Sequence, residues 1–315
     1  MKNIQSASLH MLLFSLIVAM FSACQSGNQA YNETPTRGNI RIIADESYQP
    51  IIDSEIHTFT SLYNYAKITP TYKPEVDVIN DFLNDSVKVI VTNRKLTDAQ
   101  IQYLRDTQAV ARTTAFAYDA VAILINKSNK DTAIDYNSIR DVFQGKITKW
   151  SEINPKSNLG KISVVFDNTK SGNVRFMKEK FDIKTDFGEN FYALKTNEEV
   201  INYIAKTPGA MGIISVNWIS DKDDSTSSSF IKRIKVAAIS HPYLADGNYY
   251  RPYQASIYTK SYPFVREVYF ISRESFAGLG SGFISWVAAE QGQRIILKSG
   301  LVPSTMPIRL IQIKQ

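Results

Sequence analysis

Side chains that could carry out catalysis are few in this chain, and their spacing does not suit it. The three histidines, His10, His57 and His241, lie far apart, and no ligand spacing accompanies them. The segment 278–282 is rich in glycine, but the chain contains neither the G-x-S-x-G of a nucleophile elbow nor the G-x-x-x-x-G-K-[ST] of a phosphate-binding loop. We therefore expect no enzyme, no metal and no cofactor, and we interpret 278–282 as a flexible loop before a helix from Phe283 to Leu297.

The only cysteine, Cys24, follows a short apolar run. Lys2 and the run from Met11 to Phe21 are typical of a secretory signal, since the run is too short to span a bilayer as a finished helix. The run leads into Phe21-Ser22-Ala23-Cys24, which resembles the lipobox of bacterial lipoproteins, where the thiol is acylated and the cysteine becomes the mature N-terminus. We predict a signal peptide over 1–23 and a lipid anchor on Cys24. The alternative is an ordinary signal followed by an incidental or buried thiol, which has no second cysteine to pair with.

Residues 24–38 are polar and lack periodic apolar positions, which predicts a tether between the lipid and a globular body. No acidic residue directly follows Cys24. By analogy with lipoprotein sorting, this favours the inner leaflet of the outer membrane, with the globular part in the periplasm.

Charge and composition restrict the class of partner. The formal charge is +6, and loss of residues 1–23 removes only Lys2, which leaves +5. Basic residues are scattered among acids, so a nucleic-acid partner is not expected, and an anionic lipid surface or solute fits better. A hydrophobic share of 44% over 315 residues suffices for one large core or for two lobes.

Short β-rich runs alternate with helical patterns along the chain. The runs are Ile40–Ala44, Val87–Val91, Val121–Ile125, Ile162–Phe166 and Met211–Ser215. The helical patterns begin at or near Pro50, Asp98, Tyr136, Asn173 and Glu198. Such alternation predicts α/β layers with mainly parallel sheets.

The turn between the first strand and the first helix could bind an anion. Asp45-Glu46-Ser47-Tyr48 precedes Pro50, which suits the first turn of a helix. A strand-to-helix turn of this kind directs free backbone N–H groups and the positive end of the helix dipole at one point. The alternative is that Asp45 or Ser47 only caps the helix.

Four motifs in the same order resemble the phosphate-binding proteins that serve phosphate ABC importers. They are Tyr118–Asn126 (YDAVAILIN), Phe143–Ile153 (FQGKITKWSEI), Pro208–Ile213 (PGAMGI) and the pair Gln291–Gln293 and Gly300–Pro303. The resemblance covers nearly the whole chain after Cys24. It implies a two-lobed α/β fold of the periplasmic binding protein type II class, with two hinge crossover strands and a ligand in the cleft.

The resemblance also implies a division of the chain. Lobe I takes residues 39–117 and 257–315, and lobe II takes residues 118–256. The hinge strands are expected at Tyr118–Asn126 and Tyr250–Thr259.

Ligand contacts carry over to separate segments of the sequence. The resemblance assigns them to the hydroxyl of Ser47, the N–H of Tyr48 and two short segments, Thr92-Asn93-Arg94 and Ser171-Gly172-Asn173. A bound oxyanion that carries a proton can also donate a hydrogen bond to an acid such as Asp119 or Asp167. Two departures stand out. The family's glycine-rich loop is replaced by Lys73–Val76, and its arginine by Asp167.

Because a carboxylate repels a bound dianion, Asp167 predicts weaker phosphate binding unless another cation compensates. The candidates for this compensation are Arg94, Lys95, Lys170 and Arg175. Three functions stay open at this point: a monomeric receptor that delivers phosphate or a related oxyanion to an ABC permease, a receptor for another small solute, and an envelope scaffold without transport.

Overall fold

The computed structural model describes residues 33–308. Cys24, the predicted signal peptide and most of the predicted tether lie outside the described residues. The strands are β1 (Gly38–Asp45), β2 (Ala66–Lys73), β3 (Val89–Thr92), β4 (Arg112–Asn126), β5 (Ala133–Ile134), β6 (Ser163–Phe166), β7 (Phe191–Ala193), β8 (Ala210–Ser215), β9 (Ile234–Val236), β10 (Ala238–Ser240), β11 (Tyr249–Tyr250), β12 (Val265–Ser272) and β13 (Val302–Pro303).

The helices follow the predicted alternation with the strands. They are α1 (Gln49–Leu62), α2 (Glu75–Leu83), α3 (Asp98–Asp106), α4 (Tyr136–Phe143), α5 (Trp150–Ile153), α6 (Gly172–Lys180), α7 (Asn197–Lys206), α8 (Ser225–Ile231), α9 (Gln254–Tyr258), α10 (Leu279–Ala288) and α11 (Glu290–Lys298). Within residues 33–308, none of them is long and apolar enough to cross a bilayer.

One continuous sheet runs through the molecule in the order β2-β1-β3-β12-β4-β8-β6-β7, with β9 and β13 also paired to β4. We call the part with β1, β2, β3 and β12 the first lobe, and the part with β6, β7, β8 and β9 the second lobe. The neighbours β2-β1-β3 are parallel, as are β8-β6-β7, whereas β4 and β12 run antiparallel to their neighbours.

Strand β4 connects the two lobes because it is too long to belong to one of them. It pairs with β12 as far as Ala120 and with β8 from Val121 onward. The other predicted hinge strand is wrong: the stretch 250–259 contains the end of β11 and helix α9. The strand that accompanies β4 at the junction is β12 instead, which begins at Val265.

Apolar side chains fill both faces of the sheet. The main core includes Ile42, Phe116 and Val121 and continues into the second lobe through β8. A second cluster around Ile43, Phe82 and other side chains packs α2 and α3 against the opposite face of the first lobe. Burial on both faces explains why the strands read as continuous apolar runs.

Two expectations for the chain's ends need correction. The glycine-rich segment 278–282 lies mostly inside α10, and the predicted helix from Phe283 to Leu297 is two helices separated at Ala289. Small residues are needed there because a Cβ on Gly282 would collide with the backbone of Pro35. Residues 33–38, predicted as the end of the tether, also contact this helix: Glu33 accepts a hydrogen bond from the N–H of Leu279 at 3.1 Å.

Candidate functional site

The turn after β1 is closed by a carboxylate. Asp45 Oδ1 accepts the N–H of Ser47 at 2.9 Å, and Glu46–Tyr48 form a single 3-10 turn that leads into α1. The capping role considered for Asp45 is therefore present. Ser47 and Tyr48 are fully buried, and neither hydroxyl has a hydrogen-bond partner among residues 33–308.

The segment after β3 brings a hydroxyl, an amide and a cation to the same region. The Thr92 hydroxyl is buried and donates to Glu75 Oε2 at 2.9 Å. Asn93 Oδ1 accepts from Arg175, whereas the Nδ2 group of Asn93 is buried without a partner. Arg94 places its Nε 3.7 Å from Glu75 Oε1.

The beginning of α6 faces this segment from the second lobe. Ser171 caps the helix by accepting the N–H of Val174 at 3.3 Å. The N–H of Gly172 donates to Asp45 Oδ2 at 3.2 Å. A Cβ on Gly172 would lie 2.5 Å from the same oxygen, so only glycine permits this approach.

A buried ion pair lies behind the turn. Arg266 of β12 donates from Nε to Asp119 Oδ2 at 2.9 Å, and the other oxygen of Asp119 accepts from Ser215 at 2.9 Å. Arg266 Nη2 donates to Asn173 Oδ1 at 2.8 Å, but Nη1 has no partner in the described part of the chain. Asp119 thus holds the arginine in place, which was not its expected role.

At the junction of the two lobes, which we call the cleft, one largely buried polar network contains all of the site residues predicted from the sequence. These are Ser47, Tyr48, Thr92, Asn93, Arg94, Asp119, Ser171, Gly172 and Asn173. Of the four cations considered as compensation, Arg94 and Arg175 face the cleft. Lys170 pairs with Asp77 at 3.1 Å, and Lys95 lies over the ring of Tyr269.

Sequence reasoning missed Glu46, Glu75 and Arg266. Glu75 stands where the family's glycine-rich loop was expected, so the missing glycine was the available signal. The sequence offered no signal for Arg266, because its partner Asp119 lies 147 residues away in the chain.

Carboxylates outnumber guanidinium groups in the cleft. The acids are Asp45, Glu46, Glu75, Asp119 and Asp167, and the cations are Arg94, Arg175 and Arg266. Residues 33–308 contain no cluster of acids, histidines or cysteines arranged to hold a metal ion.

Burial reduces this negative charge. Burial, with the nearby charges of Glu75 and Asp167, raises the pKa of Asp45 to about 7. Burial and the charge of Asp167 raise the pKa of Glu46 to about 8, and burial also raises the pKa of Asp167. Both acids are thus shifted toward their protonated forms near neutral pH, and a protonated carboxyl can donate a hydrogen bond.

Known proteins resemble the chain over most of its length. The chain is 21% identical over 299 residues to the phosphate-binding protein PstS of Borreliella burgdorferi, which covers 92% of this chain and 96% of that protein. A solved structure from Clostridium perfringens, described as a phosphate ABC transporter substrate-binding protein with bound phosphate, superposes with a TM-score of 0.71 at 20% identity, over 84% of this chain and 99% of that one. An ABC-type phosphate transport receptor from Vibrio cholerae gives 0.64 at 18% identity, over 84% and 100%.

These likenesses confirm the predicted two-lobed α/β fold. A family model described as the PBP superfamily domain matches residues 29–291, which includes both lobes and the cleft. The chain therefore belongs to the PBP superfamily domain family.

Proposed function

We propose that this protein is an extracytoplasmic solute-binding protein that holds phosphate or a related oxyanion in its cleft for import by an ABC permease. The observation that carries the proposal is a group of four buried polar atoms without partners: Ser47 Oγ, Tyr48 OH, Asn93 Nδ2 and Arg266 Nη1. All four can donate hydrogen bonds. A buried donor without an acceptor costs roughly 1–3 kcal/mol, and an oxyanion would supply acceptors to all of them.

The neighbourhood of these atoms supports a common ligand. The guanidinium carbon of Arg266 lies 5.5 Å from the ring centre of Tyr48, and Ser47 directly precedes Tyr48 in the chain. Asn93 follows β3 of the first lobe, and a Cβ on Gly172 of the second lobe would collide with its amide. The four donors therefore all come from the first lobe, at its junction with the second lobe.

Relatives of the chain support phosphate as the first solute to test. Several curated relatives carry the name phosphate-binding protein, and the Clostridium perfringens protein was solved with phosphate bound. A partly protonated phosphate can also donate to the carboxylates of this cleft, which a sulfate ion cannot do.

The proposal includes a lipid anchor on Cys24, with the globular part in the periplasm and the molecule monomeric. The apolar run before Cys24 and the polar residues after it support the anchor. A receptor tethered near its permease would deliver solute over a short distance.

Substitution of Ser47 by alanine tests the site directly. The hydroxyl makes no hydrogen bond within residues 33–308, so Ser47→Ala should not lower the stability of the protein without phosphate. It should weaken binding of inorganic phosphate about tenfold, since a hydrogen bond to a charged group is worth about 1.5–3 kcal/mol. Titration calorimetry of the purified mature protein gives the affinity.

Ser54→Ala is the matched control, because Ser54 is exposed on α1, directly after the turn that contains Ser47, and its hydroxyl donates to the carbonyl of Pro50. Equal phosphate affinity in Ser47→Ala and the native protein would show that Ser47 does not contact the phosphate. Absence of heat with phosphate, arsenate, sulfate and molybdate would refute the oxyanion proposal. Another small solute or an envelope scaffold would then be the function to examine.

A further inference from the structure

Two backbone donors at helix N-termini of the second lobe are already bound to carboxylates of the chain itself. The N–H of Gly172, at the start of α6, donates to Asp45. The N–H of Asn197, at the start of α7, donates to Glu46 at 3.2 Å. In each pair the acid belongs to the first lobe and the donor to the second, so the contact crosses the cleft.

Glu75 makes the most extensive of these contacts. Its side chain is 1% exposed. Arg175 approaches it with two nitrogens, Nε at 2.5 Å from Oε1 and Nη2 at 3.1 Å from Oε2. The Thr92 hydroxyl donates to Oε2, and Arg94 Nε lies 3.7 Å from Oε1.

This environment matches that of a bound oxyanion. A planar guanidinium that meets two oxygens, a second guanidinium and a hydroxyl are the groups that recognise phosphate or carboxylate. Thr92 and Arg94 are also two of the residues that the sequence assigned to the solute. The carboxylate of Glu75 thus occupies part of the position where an oxyanion would bind.

We propose that Glu75 acts as a built-in ligand that holds the two lobes together when no solute is bound. Inorganic phosphate must displace it from Arg175 and Thr92 to bind. The competition with phosphate rests on the proposed function, whereas the interlobe contact does not. The nearby amide of Asn93, buried and without a partner for Nδ2, offers a further donor to an incoming anion.

The test compares Glu75→Gln with Glu179→Gln. Glutamine keeps the size of the side chain but removes the charge. Glu179 also pairs with Arg175, at 2.6 Å from Nη1, but it lies on the same helix and its side chain is 62% exposed. The control therefore removes an ion pair from Arg175 without removing a contact between the lobes.

Small-angle scattering of the mature protein without phosphate reports the closure. We expect the native protein and Glu179→Gln to be compact and Glu75→Gln to expand by about an ångström in radius of gyration, the scale of hinge opening. With saturating inorganic phosphate, Glu75→Gln should become compact again. Calorimetry should show phosphate binding at least tenfold tighter in Glu75→Gln than in the other two proteins.

Each outcome decides one part of the proposal. An unchanged radius of gyration in Glu75→Gln without phosphate overturns its role in closure. Equal or weaker phosphate affinity overturns the competition. If none of the proteins binds phosphate, the proposed function and the competition fail, but the scattering comparison still decides whether Glu75 holds the lobes.

Circular dichroism would reveal whether Glu75→Gln misfolds. A second variant then keeps the proposal testable. Arg175→Gln removes the same ion pair from the second lobe. It should also expand the protein without phosphate, but it should weaken phosphate binding because it removes a cation. A compact Arg175→Gln protein would overturn the role of this ion pair in closure.

Discussion

Glu55 is a buried acid that has no role in the cleft. It lies on α1 with no solvent exposure, and neither carboxylate oxygen has a hydrogen-bond partner within residues 33–308. Burial raises its pKa from an ordinary 4.5 to about 9. The group is therefore protonated at neutral pH in the folded protein and ionised in the unfolded chain.

This difference predicts how stability depends on pH. Between pH 4.5 and 9 the folded state binds more protons than the unfolded state at this position, so the free energy of unfolding falls as pH rises. At pH 7 the cost amounts to about 3 kcal/mol, at about 1.4 kcal/mol for each pH unit above 4.5. Glu55→Met should raise stability by a large part of this amount, with a gain that grows from pH 5 to pH 8.

Urea denaturation at the two pH values measures the gain. Glu198→Met is the control, since Glu198 is exposed on α7 and its replacement should change stability little at either pH. A gain for Glu55→Met that is the same at pH 5 and pH 8 would contradict the assignment of a buried, protonated carboxyl.

Sequence could identify individual site residues only where a local motif carried them. Thr92 ends a strand, Ser47 and Ser171 come shortly after strands, and all three lie where the two lobes meet. Arg266 could not be identified because its site is formed by Asp119 and Asn173, from distant parts of the chain. The weaker phosphate binding expected from Asp167 stays a prediction, and burial raises the pKa of this buried acid.

Among the secondary-structure elements, two helix N-termini supply backbone donors to the cleft. The first turns of α6 and α7 both point toward the turn after β1, which offers Asp45 to one and Glu46 to the other. The positive ends of the two helix dipoles favour acids at these positions. The raised pKa values show that burial nevertheless favours the protonated forms.

Glu46 should therefore make phosphate binding sensitive to pH. As pH rises through about 8, Glu46 loses its proton and gains a charge that repels the solute. Glu46→Gln keeps an oxygen for the N–H of Asn197 but cannot ionise. We expect similar phosphate affinities in the native protein and the variant at pH 6, and at least about tenfold tighter binding by the variant at pH 9.

The ratio of the two affinities at each pH removes the titration of phosphate itself, so calorimetry at several pH values is sufficient. Glu179→Gln provides the control for loss of a carboxylate outside the cleft. A ratio that stays constant from pH 6 to pH 9 would rule out a titrating Glu46 in the site.

The strands and helices were largely predictable because their apolar patterns are strong. Helix α4 begins at the predicted Tyr136, and β1, β6 and β8 match their predicted bounds within two residues. The break between α10 and α11 was not predicted, since the apolar pattern continues through Ala289. Gln293, in α11, donates to the carbonyl groups of Phe116 and Val287 at 2.9 Å, and an apolar pattern gives no sign of such contacts.

At the scale of the whole molecule, the proposed lipid anchor decides where the cleft operates. Cys24→Ser should abolish acylation and either block processing or release the protein in soluble form, because the thiol that carries the lipid is lost. Metabolic labelling with palmitate and separation of membrane from soluble fractions measure both effects. The native protein, labelled in parallel, is the control, and a variant that still labels and fractionates with membranes would disprove the anchor.

The shared strand β4 also has a consequence for the order of folding. Its second part pairs with β8 and β9, which lie within the next 110 residues, whereas its first part pairs with β12 and β13 near the end of the chain. Closing a longer chain segment costs more entropy, and distant contacts form more slowly. We expect the sheet of the second lobe to form early. The sheet of the first lobe should form later, because it needs β12 and β13 from the last fifth of the chain.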